Sequence, residues 1–143
     1  MEEQNKISIR LDSWDAIKML KKKEYGELAL RTKDNGFFFR TEIIEAILLQ
    51  IPIPAIIISA KRETLFKVLS LDNVLESIIY FLESKEELKT DQLLYLKELG
   101  GLRYDEIDRK YQRRIEYTKL QLILARGETP TGAIDLTLMA YGK

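Results

Sequence analysis

The sequence predicts a single α/β domain of the α+β type, in which a small mixed sheet is flanked by helices. Two observations predict it. A run with helical period over Ile43–Gln50 leads into a proline-bounded apolar strand, and a second strand at Phe66–Leu69 leads into a helix at Leu71–Leu82. With 143 residues, the chain is long enough to bury a sizeable core as one domain over residues 1–143.

The N-terminal region predicts a helix followed by a short strand. Asp12 or Ser13 can cap a helix over Trp14–Lys23, whose three closing lysines suit the negative end of the helix dipole. Gly26 ends this helix, and Leu28–Leu30 follows as a short strand.

The central region predicts the middle of the sheet. Pro52 and Pro54 force extended backbone and exclude helix. The apolar, β-branched run Ala55–Ser59 is typical of a strand that is buried on both faces. Because Arg62–Thr64 makes a turn, we expect Phe66–Leu69 to pair with this strand as a hairpin.

The C-terminal region predicts two helices around one strand. The segment Gln92–Leu99 is ambiguous between helix and strand, and the glycine pair after it breaks the pattern. A helix is predicted over Tyr104–Tyr117, a strand over Lys119–Ala125, and a last helix over Ala133–Tyr141 with Thr131 as its cap. The helix predicted over Tyr104–Tyr117 has an apolar side, which carries Tyr104, Ile107, Tyr111 and Ile115.

Composition excludes several kinds of chemistry. The 23 Lys and Arg residues balance the 23 Asp and Glu residues, so no global field draws the protein to nucleic acid or to an anionic membrane. The chain contains no cysteine and no histidine, which removes thiolate nucleophiles, Cys-based zinc sites and the usual general base near neutral pH. Any catalysis would rest on carboxylates, Lys, Arg, Tyr or a hard metal such as magnesium. Because no phosphate-binding Gly-rich loop and no metal-ligand spacing appears, we predict no metal and no cofactor.

The sequence also predicts where the protein resides. The polar segment Met1–Lys6 lacks the apolar core of a signal peptide. The longest apolar run falls far short of the roughly 20 residues that a membrane-spanning helix needs. We expect a cytoplasmic protein without membrane contact.

Several segments resemble one known family. Ile43–Pro54 closely resembles the "liesil-x-x-PiP" run of the N-terminal, ParB/sulfiredoxin-like domain of GmrSD-type restriction proteins. Ser13–Leu28 resembles the first helix and strand of that domain, and Leu99–Ile107 and Tyr111–Tyr117 resemble two later segments. The resemblance covers most of the chain and implies a ParB/sulfiredoxin-like fold. The helical and nuclease domains of full-length family members do not follow in this sequence.

The family's nucleotide-hydrolysis motif, however, is replaced. The family carries Asp-Gly-Gln-Gln-Arg at a strand-to-helix turn, where Gly lets the backbone approach a phosphate and Arg supplies a planar cation. In this chain Leu71 stands in place of that Gly and Val74 in place of that Arg. Upstream, Asp34 and Asn35 stand where the family has Gln-Arg. We therefore expect the fold without the reaction. The substituted turn consists of Ser70, Leu71, Asp72, Asn73 and Val74.

A cationic cluster near the C-terminus is the candidate for nucleic-acid contacts. Tyrosines are interleaved with these cations, and this combination can hold phosphates and stack bases. Acidic residues are also interspersed, so composition alone favours a solvated, salt-bridged helix face. The cations are Arg103, Arg109, Lys110, Arg113 and Arg114, and the acids are Asp105, Glu106, Asp108 and Glu116.

The aromatic run Phe37, Phe38 and Phe39 is a candidate partner patch, with a core anchor as the alternative. Neighbouring residues of a strand point to opposite sides of the sheet. We therefore expect at least one of the three rings to face a loop, a partner or a second subunit.

These observations lead to one functional hypothesis and two alternatives. The first is a non-catalytic, stand-alone relative of the GmrSD domain that acts as a protein-interaction module. The family context suggests a phage or mobile-element product that engages a host or defence-system protein. The alternatives are a nucleic-acid-binding protein that uses Arg103–Tyr117, and a residual nucleotide hydrolase or nuclease accessory that uses Asp72. The sequence leaves the oligomeric state open.

Overall fold

The structure, a computed structural model, describes residues 8–30, 38–62, 65–126 and 131–141. These residues form a five-stranded mixed sheet and five α-helices, which confirms the predicted mixed α/β class. The strands are β1 (Ile9–Asp15), β2 (Leu28–Ala29), β3 (Ile56–Arg62), β4 (Leu65–Val68) and β5 (Lys119–Arg126). The helices are α1 (Ala16–Glu24), α2 (Thr41–Leu48), α3 (Asp72–Leu82), α4 (Arg109–Glu116) and α5 (Thr131–Tyr141).

The sheet has the strand order β1-β5-β3-β4-β2. β5 runs antiparallel to β1 and parallel to β3, β4 runs antiparallel to β3, and β2 runs parallel to β4. The predicted β3–β4 pairing is confirmed by the register, in which Ile58 lies opposite Val68. β3 is the central strand, and the consecutive residues Ile56, Ile57 and Ile58 are all fully buried, as its continuous apolar sequence predicted.

One face of the sheet carries the main core. Residues that are opposite each other in the register share a face, so Trp14, Leu120 and their neighbours on β3 and β4 point to the same side. Helices α1 to α4 cover this side with fully buried apolar side chains. Among these are Met19, Ile44, Leu75 and Ile115, one from each helix.

The sequence did not predict β1. Trp14, which was expected at the start of a helix, lies in this edge strand opposite Leu120, and its ring is buried in the core. The hydrogen bonds that hold β1 come from β5, at the other end of the chain. A local pattern does not show such a partner, because strand pairing depends on tertiary context.

The prediction of the α1 cap was wrong as a result. Asp15 caps the helix in place of Asp12 or Ser13, and its carboxylate accepts a hydrogen bond of 2.8 Å from the backbone N–H of Lys18. The helix end was predicted correctly, because Gly26 adopts φ +73° just beyond it.

The predicted helix over residues 104–117 is divided in the structure. A 3₁₀ turn, Tyr104–Glu106, precedes α4, and the two are separated by extended backbone at Ile107 and Asp108. This break lets the Ile107 side chain enter the core. The ambiguous segment Gln92–Leu99 contains a 3₁₀ turn at Lys97–Leu99, and another, Thr90–Gln92, ends at its first residue. Of the helices described, none is both long and apolar enough to cross a membrane.

Candidate functional site

The substituted turn connects β4 to α3 and includes the first three residues of that helix. Ser70 is 1% exposed, and its Oγ accepts a hydrogen bond of 2.9 Å from the backbone N–H of Ile57 in the central strand. Ser70 therefore fastens the turn to the middle of the sheet, where its hydroxyl satisfies a buried backbone donor.

Leu71 occupies a backbone conformation that favours glycine. Its φ is +55° and its ψ is +36°, in the left-handed region, at the cap position of α3. An L-residue in this region costs about 1–2 kcal/mol relative to right-handed backbone. The Leu71 side chain is partly buried and packs against the core. The turn thus has the backbone of a glycine turn, but a leucine side chain occupies it.

Two further residues of the turn, Asp72 and Val74, are buried or partly buried. Asp72 is buried in the first turn of α3, and Val74 is partly buried against the core at the place where the resemblance puts an arginine. The cavities described below are lined by other residues. Among the residues that the structure describes, no group of three or more acidic, His or Cys side chains is arranged to hold a metal ion.

Three of the predicted site residues, Asp34, Asn35 and Phe37, lie outside the described residues. Phe38 is 79% exposed. Phe39 instead packs against the core and stacks on Phe81, with ring centroids 6.3 Å apart. Of the predicted aromatic patch, Phe38 therefore presents its ring to solvent and Phe39 anchors the segment.

Helix α4 has one cationic face. Its exposed residues recur at positions i, i+1, i+4 and i+5, which lie on the same side of an α-helix, and the exposed Tyr117 continues this side beyond the helix end. The helix itself contains a single acidic residue, Glu116, which is buried. The exposed residues of α4 therefore include cations and no carboxylate, whereas the acidic residues Asp105, Glu106 and Asp108 are exposed just before the helix begins. The exposed cations are Arg109, Lys110, Arg113 and Arg114.

Glu116 is directed inward because it has partners there. The Tyr104 hydroxyl donates a hydrogen bond to the Glu116 carboxylate, and Arg109 Nη1 lies 3.3 Å from the same carboxylate. Burial, the hydrogen bond to Glu116 and the charge of that carboxylate raise the pKa of Tyr104 to about 12. Gln112 Nε2 donates to the Tyr104 carbonyl at 2.9 Å, so the 3₁₀ turn and α4 form one hydrogen-bonded unit.

The remaining cations of the face differ in their contacts. Arg114 Nη1 donates a hydrogen bond of 3.0 Å to the Leu48 carbonyl at the end of α2. Lys110 Nζ lies 5.1 Å from the centroid of the Tyr111 ring. Within the described residues, neither Lys110 nor Arg113 has a carboxylate partner. Arg103 is also exposed, but it precedes the 3₁₀ turn and lies outside α4.

A groove of about 320 Å³ adjoins this face. One side is formed by the proline segment after α2, including Ile51 and Ile53, and the other by Arg114, Tyr117 and Lys119. Ile51 and Tyr117 are both exposed. We call the cationic face of α4 together with this groove the α4 surface. The sequence predicted extended backbone at Pro52 and Pro54, but it did not predict that this segment forms one side of a groove.

A loop that is hydrogen-bonded to α2 is a further feature that the sequence did not predict. The Glu45 carboxylate, 4% exposed, accepts hydrogen bonds from three consecutive backbone N–H groups, at 3.0 Å from Leu94, 2.7 Å from Tyr95 and 2.9 Å from Leu96. Burial acts to raise the pKa of Glu45, but the three hydrogen bonds and Lys97 outweigh it and lower the pKa. The loop holds Leu94 and Tyr95 in solvent, 74% and 73% exposed.

The chain matches no family model, and comparison with curated proteins and with solved structures found no similar protein. The GmrSD resemblance therefore rests on the sequence segments quoted above. The function has to be argued from the surfaces of the molecule itself, since a fold alone does not define one.

Proposed function

We propose that the protein is a non-catalytic binding module that engages another protein through the α4 surface. The observation that carries the proposal is the outward face of α4, where four exposed cations stand together and only Arg109 has a carboxylate partner among the described residues. The filled turn supports the non-catalytic part of the proposal. Leu71 and Val74 pack on the core at the two positions where phosphate chemistry would need open backbone and a guanidinium.

The chemistry of the α4 surface favours a partner with acidic and apolar side chains. Arginine and tyrosine are enriched at protein interfaces, and both are present here beside the exposed Ile51. A nucleic-acid surface would be expected to extend its positive charge beyond one helix, whereas the net charge of this chain is zero. With the family context, we propose a cytoplasmic phage or mobile-element protein whose partner is a host or defence-system protein.

Co-purification with matched charge variants tests this function. Tagged wild-type protein, Lys110→Glu/Arg113→Glu and the control Lys21→Glu are expressed at native levels in a bacterial host. Lys21 is exposed on α1 and is not one of the residues that form the α4 surface. We expect one specific protein to be recovered with wild type and with the control, but not with the α4 variant. Recovery of the same proteins by all three would contradict the proposal.

Nucleic-acid binding is the second candidate, and the exposed Tyr117 beside the α4 cations favours it. A titration of duplex and single-stranded DNA at several salt concentrations tests it. If α4 contacts phosphates, Lys110→Glu/Arg113→Glu lowers the slope of log affinity against log salt by about two. An unchanged slope, or no binding at low salt, would reject this function.

The non-catalytic proposal has its own test. The pure protein is incubated with nucleoside triphosphates and magnesium, and released phosphate is measured over time. We expect no turnover above a buffer control. Turnover that is lost in Asp72→Ala would contradict the proposal and would place residual hydrolysis at the substituted turn.

A further inference from the structure

A second cavity lies at the opposite end of the sheet from the substituted turn. The turn follows the C-terminal end of β4, whereas this cavity is lined by Phe66 near the start of β4 and by Arg126 at the end of β5. Its volume is about 240 Å³. It shares no lining residue with the α4 groove, so it is independent of the proposed function.

Cations from three elements converge on this cavity. Arg10 comes from β1, Lys18 and Lys22 from α1, and Arg126 from β5, whereas Asp12 is the only lining carboxylate. Four positive charges less one negative charge leave the lining at +3.

Few carboxylates neutralise these cations. Arg10 Nη2 lies 3.8 Å from Asp12, and Lys22 Nζ lies 3.4 Å from Glu27 outside the cavity lining. Lys18 and Arg126 have no carboxylate partner within the described part of the chain. The cavity therefore keeps an excess of positive charge.

The fold fixes this arrangement. Arg10 lies opposite Leu124, and Arg126 lies opposite Ala60, so both arginines belong to the sheet face that elsewhere carries the core. Their positions follow from the pairing of β5 with its two neighbours.

The floor of the cavity is aromatic and buried. The Trp14 and Phe66 rings meet edge to face, with centroids 5.0 Å apart. Lys22 Nζ lies 5.0 Å from the Trp14 ring and 4.7 Å from the Phe66 ring, and Lys18 Nζ lies 5.5 Å from the Trp14 ring. Ring faces attract cations, and an apolar wall lowers the local dielectric, which strengthens the attraction of these cations for an anion.

We propose that this cavity is a binding site for a phosphate group. Two guanidinium groups supply paired donors that match phosphate oxygens, and the two ammonium groups add compact charges. The volume lies below the roughly 300–1,000 Å³ of pockets that enclose drug-sized ligands. The site therefore suits inorganic phosphate or the phosphate end of a small monoester.

Trp14 provides the measurement, because it is the only tryptophan of the chain and forms the cavity floor. Trp14 fluorescence is followed while inorganic phosphate is added at constant ionic strength, and separately while glycerol phosphate is added. We expect a saturable change. If the protein binds inorganic phosphate and glycerol phosphate with equal affinity, the ligand is free phosphate. If it binds glycerol phosphate more tightly, the ligand is a phosphate monoester.

Matched variants locate the site. Arg126→Gln and Lys18→Gln each remove a charge-assisted contact, so we expect each to weaken phosphate binding about tenfold. Lys21→Gln, on the same helix but outside the cavity lining, should bind like wild type. Arg10→Gln, at a more exposed position, is the replacement if either variant fails to fold.

Two results would overturn the proposal. One is a fluorescence change that rises linearly with phosphate and is reproduced by chloride. The other is a saturable change whose midpoint is the same in wild type, Arg126→Gln and Lys18→Gln. Circular dichroism without phosphate confirms that each variant is folded, so that lost binding is not a consequence of unfolding.

Discussion

The substituted turn at Ser70–Val74 and the α4 surface direct their functional groups in opposite directions. In the turn, the Ser70 hydroxyl and the Leu71 and Val74 side chains face inward, and each contributes to packing or to a buried hydrogen bond. On α4, Arg113 and its neighbours face outward, and the one carboxylate of the helix is turned in. Groups that face inward maintain the fold, whereas groups that face outward remain available for binding.

The largest loss of stability is expected for the inward-facing side chain that accepts the most hydrogen bonds from backbone N–H groups. Glu45→Ala leaves the three N–H groups of Leu94–Leu96 without their acceptor. Because a hydrogen bond to a charged group contributes about 1.5–3 kcal/mol, we expect the loss of these bonds to lower the free energy of unfolding by about 3 kcal/mol. Urea denaturation measures it, with the exposed Glu42→Ala on the same helix as control. A loss no larger than the control would show that the loop does not depend on Glu45.

The lowered pKa of Glu45 predicts how the free energy of unfolding changes as the pH falls. The pKa of Glu45 is lower in the folded protein than its ordinary value. A depressed folded pKa contributes stability that is present above the unfolded pKa of about 4.3 and is lost as the pH falls through the folded pKa. We expect unfolding free energies below pH 4.3 to fall less steeply in Glu45→Gln than in wild type. Parallel pH profiles would contradict this assignment.

Ser70→Ala is the next largest change and tests the turn directly. It leaves the buried N–H of Ile57 without its acceptor, so we expect a loss of about 2 kcal/mol in the free energy of unfolding. Ser13→Ala, on the exposed side of β1, should change stability by less than about 0.5 kcal/mol. If both variants unfold at the same urea concentration, the Ser70 hydroxyl does not hold the turn to the sheet.

Several parts of the fold were predictable because their signals are local. The unbroken apolar run in β3 and the apolar period of α3 each identify an element without reference to the rest of the chain. β1 was not predictable in this way, because Ile9 pairs with Ala125 from the other end of the chain. The cavity around Trp14 was missed for the same reason, since Arg10 on β1 and Arg126 on β5 meet there only because these two strands pair.

The candidate site was predictable only in part. The sequence identified the cations of α4, but it also placed acidic residues among them. Whether Glu116 faces inward depends on Tyr104, which reaches it from a separate 3₁₀ turn. The Glu45 loop gave no signal, because its acceptor and its three donors come from different elements.

A smaller and more specific effect is expected at Leu71, where φ is +55°. Replacing alanine by glycine normally destabilises a protein, because glycine loses more backbone entropy on folding. In the left-handed region the order reverses, so we expect Leu71→Gly to be more stable than Leu71→Ala by about 1 kcal/mol. Both variants lose the same packing, so their difference isolates the backbone. Thermal unfolding of the pair measures it, and a more stable alanine variant would show that the turn is not left-handed.

The smallest effect on stability is expected at Arg113, on the outward-facing α4 surface. Its side chain is exposed and has no carboxylate partner among the described residues, so Arg113→Gln should change the free energy of unfolding by less than about 0.5 kcal/mol. Arg113→Gln should nevertheless reduce the recovery of the partner more than Ser70→Ala does. Both variants are compared at a temperature where each is folded. A larger loss of partner recovery in Ser70→Ala than in Arg113→Gln would mean that the turn contributes to binding and that the α4 cations only keep the helix surface hydrated.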